Sequence, residues 1–220
     1  MTTPTPSAEV VALEREIAVR DAFLARVSAS LGALVARVEQ GSASIDELRG
    51  FARELAVIAG DEEARAPRRA RIDLLRVVES SVARWRERTR GQVDLRLETA
   101  NDVDLSGEWD PDHVGSIMGE LLSNACKYGA GHPVTVRVEG DARAARLIVE
   151  DSGRGIEEDV FGSSAEARRF RRGTDTETTA LPGFGVGVWL VHALARAHGG
   201  GLELARRAEG GTRAVVELPR

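Results

Sequence analysis

Apolar residues recur through the first part of the chain at alternating steps of three and four. Val10, Leu13, Ile17, Leu24, Val27, Leu31, Leu34 and Val38 form the series, and only Arg20 interrupts it. This is a heptad seam sustained for about four repeats, the pattern of a long helix packed against other helices. Ser7 is placed to cap its start, with Glu9 in the first turn. Gly41 is placed to end it in a left-handed conformation. Ser44 and Glu47 make a capping box for a second helix, whose seam is Leu48, Phe51, Leu55 and Ile58. The short link makes the pair an antiparallel hairpin. One hairpin buries a single stripe on each helix. Two hairpins bury more, so the seam predicts a homodimer through residues 8–60, closed as a four-helix bundle.

The pattern changes after residues 61–69, DEEARAPRR, which are charged and carry Pro67. They read as a boundary between residues 1–66 and residues 67–220. Beyond it, Arg71–Leu74 reads as a short strand and Leu74 to Trp85 as an amphipathic helix. Val93, Leu95 and Leu97 alternate as a strand, with a short partner strand expected at Val103–Leu105. Asp110-Pro111 opens a helix that runs through ELLSNACKYG, Glu120 to Gly129. Val134, Val136 and Val138 alternate, and Leu147–Val149 follow, joined by Gly140-Asp141 as a hairpin. Residues 157–184 are polar and irregular. Gly185 to His198 is a further helix, and Leu202–Leu204 and Arg213–Leu218 are two last strands. The second domain is therefore an α+β sandwich, a mixed sheet covered by helices.

Composition narrows the reading. With 42% apolar and 30% charged residues the chain is globular. A net charge of −5 gives no general reason to bind nucleic acid. One Cys excludes an internal disulfide and a Cys-based zinc site. No apolar run approaches the roughly 20 residues that cross a bilayer. The polar, Pro-containing start, MTTPTPSAEV, is no signal peptide. A cytoplasmic protein without membrane insertion is expected, one that receives its signal through a partner.

Three stretches carry chemistry. The first holds the only Lys, Cys and Tyr of the chain: Lys127, Cys126 and Tyr128. A single Lys in a chain otherwise served by Arg fits a site that needs a compact ammonium. Ile117, Leu121, Leu122 and Ala125 make one apolar helix face, and Glu120, Asn124 and Lys127 fall at i, i+4 and i+7 and stack on one side. Such a row suits a metal–phosphate ligand, and it equally suits a solvated helix face. The second is DSGRGI, Asp151 to Ile156. An ionised Asp at a strand end can accept from an exocyclic amine, and Gly153 and Gly155 let the backbone approach a flat base; alone, the motif is also a common turn. The third is GFGVGVWL, in which Gly183, Gly185 and Gly187 run into a helix. Free backbone N–H groups there favour an anionic phosphate. It is not a dinucleotide fingerprint, because no strand precedes it.

In this order the three resemble the ATP-binding domain of bacterial sensor histidine kinases, of the wider family shared with gyrase, Hsp90 and MutL. ELLSNACKYG looks like the family's asparagine box, DSGRGI its first glycine box and GFGVGVWLVHALARAHGG its second. The GTD after the Arg cluster and the terminal GGTRAVVELP also match. The resemblance implies an N-terminal helical hairpin followed by an α/β two-layer sandwich of the histidine kinase/gyrase/Hsp90 ATPase type, with ATP and Mg²⁺ as cofactors. It implies that Asn124 ligates Mg²⁺ with Glu120 supporting it or its water. Lys127 would contact phosphate and Tyr128 would pack near the base. Asp151 would accept from the adenine amine, with Thr212 sharing a bridging water, and Gly183, Gly185 and Gly187 would wrap the phosphates. Phe161 and Phe170 would stand for a lid's paired phenylalanines, set wider than usual. Arg169 or Arg172 would reach the γ-phosphate when the lid closes.

The hairpin resembles the family's dimerisation and phosphotransfer domain, and here the sequence departs. FLARVSASLGAL, Phe23 to Leu34, puts Ala29 in the place of the phosphoaccepting His, Ser30 in that of its acidic partner, and Gly32-Ala33-Leu34 in that of Arg-Thr-Pro. The seam uses Val27 and Leu31, so residue 29 points outward. The four His, His113, His132, His192 and His198, lie outside the hairpin and are expected as surface or capping residues. Ser28 and Ser30 flank the vacant position. Three functions follow. One is a histidine-kinase-like ATP-binding signalling protein that does not autophosphorylate at the usual site and acts on or through a partner histidine kinase or response regulator. Another is a dimeric docking module for a response regulator. The third is a serine kinase of the same superfamily.

Overall fold

The computed structural model describes residues 8–41, 48, 51–52, 55–56, 59, 66–99, 104–129, 131–155 and 187–220. Helix α1, Ala8–Glu39, carries the heptad seam. Gly41 closes it with φ +68° and donates its N–H to Val38 O at 3.0 Å, as a left-handed cap requires. Ile17, Leu24 and Leu31, seven residues apart, are 40%, 53% and 40% exposed, so the stripe is presented outward along this chain. Ala29 is exposed as well. Ser44 and Glu47 of the expected capping box lie outside the described residues; Leu48, Phe51 and Leu55 are helical.

Strand β1, Ala70–Asp73, pairs antiparallel with β3, Ser106–Trp109. Between them run helix α2, Leu74–Arg88, and strand β2, Leu95–Thr99. Asp73 caps α2 by accepting from Leu75 N. The sequence places β1's region correctly but sets the later strand too early. Leu105 is not in it: its carbonyl accepts from Leu74 N at 3.0 Å and its side chain is 6% exposed. The strand lies at Ser106–Trp109 because Trp109 must be buried. Its ring lies where a Cβ on residue 107 would stand, which only Gly107 permits, and its Nε1 donates to Pro219 O at 2.8 Å.

The main sheet has the order β2-β4-β5-β7-β6, with β4 Val134–Gly140, β5 Ala144–Glu150, β6 Gly201–Arg206 and β7 Thr212–Pro219. β2 and β4 are parallel and the rest antiparallel. The parallel pair needs a crossover. Helix α3, Pro111–Tyr128, supplies it, touching α2 on one side and helix α4, Gly187–Ala197, on the other. Alternation decides which sheet face the helices cover. Val134, Val136, Val138, Leu147, Val149, Val216 and Leu218 are buried with Ile117, Leu121, Leu122 and Leu194 in one core. The opposite face carries a chain of ion pairs, Glu98–Arg137–Glu150–Arg213, with Arg146–Glu217 beside it.

Two histidines overturn the sequence reading. His113 and His198 are each 2% exposed, not on the surface. They meet because the start of α3 and the residue after α4 come together. Among the described residues no helix is long and apolar enough to cross a membrane.

Candidate nucleotide-binding site

The C-terminal half of α3 is the floor of the site. Asp110 fixes the helix start by accepting from the N–H groups of Asp112 and His113, at 2.8 and 3.2 Å, with Pro111 in the first turn. That start sets the phase of the helix. Ile117, Leu121, Leu122 and Ala125 then face the core, and Glu120, Asn124 and Lys127 share the remaining side.

At one end of this row stands Gly187, the first residue of α4. A Cβ on it would overlap Glu120 Oε2 and lie 3.7 Å from Asn124 Nδ2. The N-terminus of α4 thus lies against the acid and the amide together. Burial raises the Glu120 pKa above the usual carboxylate value, and the Lys127 charge partly offsets the rise. An acid in that environment keeps its proton to higher pH than a surface carboxylate does. Cys126 is half-buried against the core, and burial pushes its thiol pKa up, which disfavours the thiolate.

At the other end, α3 stops against the loop that follows β5. A Cβ on Gly153 would overlap the Tyr128 carbonyl oxygen, and Gly129 lies with its Cβ position 3.6 Å from Asp151 Cβ. The asparagine-bearing helix and the acidic loop are therefore in direct contact. Asp151 is 6% exposed. Its Oδ1 accepts from Gly153 N at 2.9 Å and from Thr212 N at 3.3 Å. Its own N–H donates to Thr212 O at 3.0 Å. These bonds extend the β5–β7 register by one step past the Glu150↔Arg213 pair. Among the described residues Oδ2 takes no hydrogen bond, which leaves one acceptor for a base amine. Arg154 stacks over the Tyr128 ring at 5.7 Å to its centroid.

Most sequence-predicted residues thus converge. Glu120, Asn124, Gly187 and Lys127 form one end; Tyr128, Asp151, Gly153, Gly155 and Thr212 form the other. Gly155 has φ +79° and packs against Arg206, its Cβ position 3.3 Å from that side chain. Gly183, Gly185, Phe161, Phe170, Arg169 and Arg172 lie outside the described residues. Gly129, Gly211 and Arg207 escaped the sequence reading. Gly211 has φ +90° and lies so close to Asp151 O that a Cβ would overlap it. The Gly210-Gly211 pair before Thr212 was the available signal for that approach.

Residues 109–220 match the family of histidine kinase-, DNA gyrase B- and HSP90-like ATPases. The chain belongs to this family. Sensor histidine kinases are its relatives. BaeS of Escherichia coli K12 is 28% identical over 162 residues, 72% of this chain and 34% of BaeS. MprB of a Mycobacterium species, strain KMS, a histidine-protein kinase/phosphatase, is 32% identical over 179 residues, 77% of this chain and 32% of MprB. Among solved structures, a mycobacterial MprB superposes with a TM-score of 0.56 at 27% identity, covering 69% of this chain and 97% of that one. AdeS of Acinetobacter baumannii shares the fold at a TM-score of 0.59 and 15% identity, over 89% of this chain and 96% of its own. The chain spans about a third of the length of BaeS and of MprB. Its C-terminal half is a histidine-kinase-like ATPase domain of the two-component type.

Proposed function

We propose that this chain binds ATP with Mg²⁺ in the cleft along α3 and signals within a two-component system through a partner, without phosphorylating its own hairpin at the usual position. One observation carries the reading: a single helix end joins two recognition elements of opposite kind. The Glu120–Asn124–Gly187 end suits phosphate and metal, and the Asp151–Thr212 end suits a base.

The donor set fits the cofactors. Asn124 with Glu120 would hold Mg²⁺, which prefers few protein oxygens plus phosphate oxygens. When bound, the ion neutralises charge that develops on the transferring phosphoryl group. Lys127 would hold phosphate oxygens as a point charge. Asp151 would select adenine through Oδ2, with Tyr128 at the base and Thr212 sharing a bridging water. Gly183, Gly185 and Gly187 would wrap the phosphates, and Arg172 would reach the γ-phosphate.

The absence of a nucleophile supports the rest. Ala29 is exposed on α1, and an alanine cannot carry a phosphoryl group. The outward stripe of Ile17, Leu24, Leu31 and Val35 supports a homodimer through residues 8–60. We place the boundary between that hairpin, residues 1–66, and the ATPase domain, residues 67–220. A response regulator or a second histidine kinase is then the partner, in the cytoplasm.

Calorimetry with ATP and Mg²⁺ tests the reading. Asp151→Asn and Asn124→Ala are each expected to weaken binding at least about tenfold, the equivalent of ~1.4 kcal/mol, with circular dichroism unchanged. Unaltered affinity in both variants would sink it.

A further inference from the structure

The turn between β6 and β7 meets Asp151 through Gly211 and through the side chain of Arg207. We propose that Arg207, in that turn, is a positioning residue for base selection: it holds the Asp151 main chain so that Oδ2 meets the exocyclic amine of adenine at a productive angle. The inference rests on the nucleotide reading above.

Arg207 Nη1 donates to Asp151 O at 2.8 Å and to Ser152 Oγ at 3.3 Å. Its Nη2 lies 3.9 Å from Glu209 Oε2 within the same turn. The backbone of Arg207 is fixed too. Its N–H donates to Gly211 O and its carbonyl accepts from Gly210 N, both at 3.1 Å. Gly210 and Gly211 adopt φ +93° and +90°, which brings the turn against the Asp151 carbonyl. The guanidinium therefore reaches from a closed turn to a single partner loop.

With this bond Asp151 is held at every polar handle but one. Its N–H is tied to Thr212 O, its carbonyl to Arg207, and its Oδ1 to Gly153 N and Thr212 N. Hydrogen bonds weaken steeply with misalignment, so the discriminating power of Oδ2 depends on this anchoring. A site built to accept from an amine rejects an analogue that offers a carbonyl instead. Arg207 is charged, so its bond is stronger than a neutral one, and its Nη1 spans two acceptors from a planar group whose geometry lysine does not reproduce.

The test is selectivity, not affinity alone. ATP and ITP, which carries a carbonyl where adenine carries its amine, are titrated into the wild type, Arg207→Ala, Arg207→Lys, Asp151→Asn and the Asp151→Asn/Arg207→Ala double variant. The wild type is expected to prefer ATP. Arg207→Ala should reduce the ATP-to-ITP affinity ratio about fivefold, the worth of one ordinary hydrogen bond, and Arg207→Lys should reduce it less. In the Asp151→Asn background the Arg207 change should leave the ratio where it is. A wild type that prefers ATP, with variants that keep the same ratio or lose both nucleotides equally, overturns the positioning role alone. A wild type that binds neither nucleotide overturns the nucleotide reading, and this inference with it.

Discussion

His113 and His198 meet edge to face in the core, ring centroids 5.5 Å apart and planes at 88°. The contact joins the start of α3 to the end of α4, at the opposite end of α3 from the candidate nucleotide site. Asp110 Oδ2 lies 3.9 Å from His113 Nε2 and also accepts from Arg68 N at 2.8 Å. The residues that lead into the ATPase domain are therefore stitched to the same place. Neither ring nitrogen of His198 has a hydrogen-bond partner among the described residues. Burial, the neighbouring His113 and Arg69 together lower its pKa from 6.5 to about 4, with Asp110 opposing them.

The consequence is a stability that depends on pH. The folded state keeps His198 neutral where the unfolded state would bind a proton. Stability is therefore full above the unfolded value of 6.5 and falls as the pH drops from there to about 4. The loss over that window is at most about 3 kcal/mol. Urea unfolding measured at intervals of pH should show the decline. In His198→Phe the slope over that window should be shallower, because the titrating group is gone. Equal slopes in the two proteins would count against the buried pair as its cause.

Gly187 lies against the side-chain ends of Glu120 and Asn124, and a Cβ there would displace the Glu120 carboxylate. Gly187→Ala should turn the Glu120 carboxylate aside, at little cost to the fold because only the end of a flexible side chain must move. The expected outcome is ATP affinity lowered about tenfold or more, with the sheet signal in circular dichroism retained. Glu120 adds a pH effect. Its raised pKa means that the ionised form, which would support Mg²⁺, becomes populated at higher pH than for a surface carboxylate. The magnesium dependence of ATP binding should therefore strengthen as pH rises through that region, and Glu120→Gln should remove the dependence. For folding the sign is reversed: the unfolded Glu ionises first, so this residue's contribution to stability declines as pH rises from 4.5 upward.

The parts of this fold legible in the sequence are those whose pattern is local. Ile117, Leu121, Leu122 and Ala125 repeat at helical spacing, and Val134, Val136 and Val138 alternate, so α3 and β4 declare themselves. β3 does not. Ser106–Trp109 has little strand propensity, and it becomes a strand through pairing with β1 and burial of one indole. The Asp151–Thr212 and Arg207–Asp151 contacts depend on β5 lying beside β7, a pairing of strands not adjacent in sequence. The two buried histidines are hidden for a similar reason. Histidine is intermediate in burial preference, and only the meeting of α3 with the end of α4 decides the matter.

Trp109 shows how much one such long-range contact holds. Its ring is fully buried and its Nε1 donates to Pro219 O, tying β3 to the end of β7. Trp109→Phe keeps an aromatic ring but deletes the donor and leaves a buried carbonyl unpaired. That should cost about 1–3 kcal/mol, read as a lower urea midpoint with an unchanged slope. Nucleotide affinity should hold, since Trp109 touches neither end of the candidate site.

Ala29 permits a gain-of-function test of the whole arrangement. It is exposed on α1, two residues beyond the partly buried Val27, so a side chain placed there has room and faces solvent. If the cleft along α3 can deliver a phosphoryl group, the missing element on the hairpin is the nucleophile. Ala29→His with Ser30→Glu should then acquire label from γ-labelled ATP and Mg²⁺, and the label should be lost in acid, as a phosphoramidate is. The unsubstituted chain should acquire none at this position. Adding Asn124→Ala to the substituted protein should abolish the signal, because it removes the proposed magnesium ligand without touching the hairpin. Label that survives acid would place the acceptor on a hydroxyl and favour a serine-directed activity. No label, from a protein that binds ATP by calorimetry, would mean that the cleft holds nucleotide as a conformational signal and that its hairpin has lost more than an imidazole.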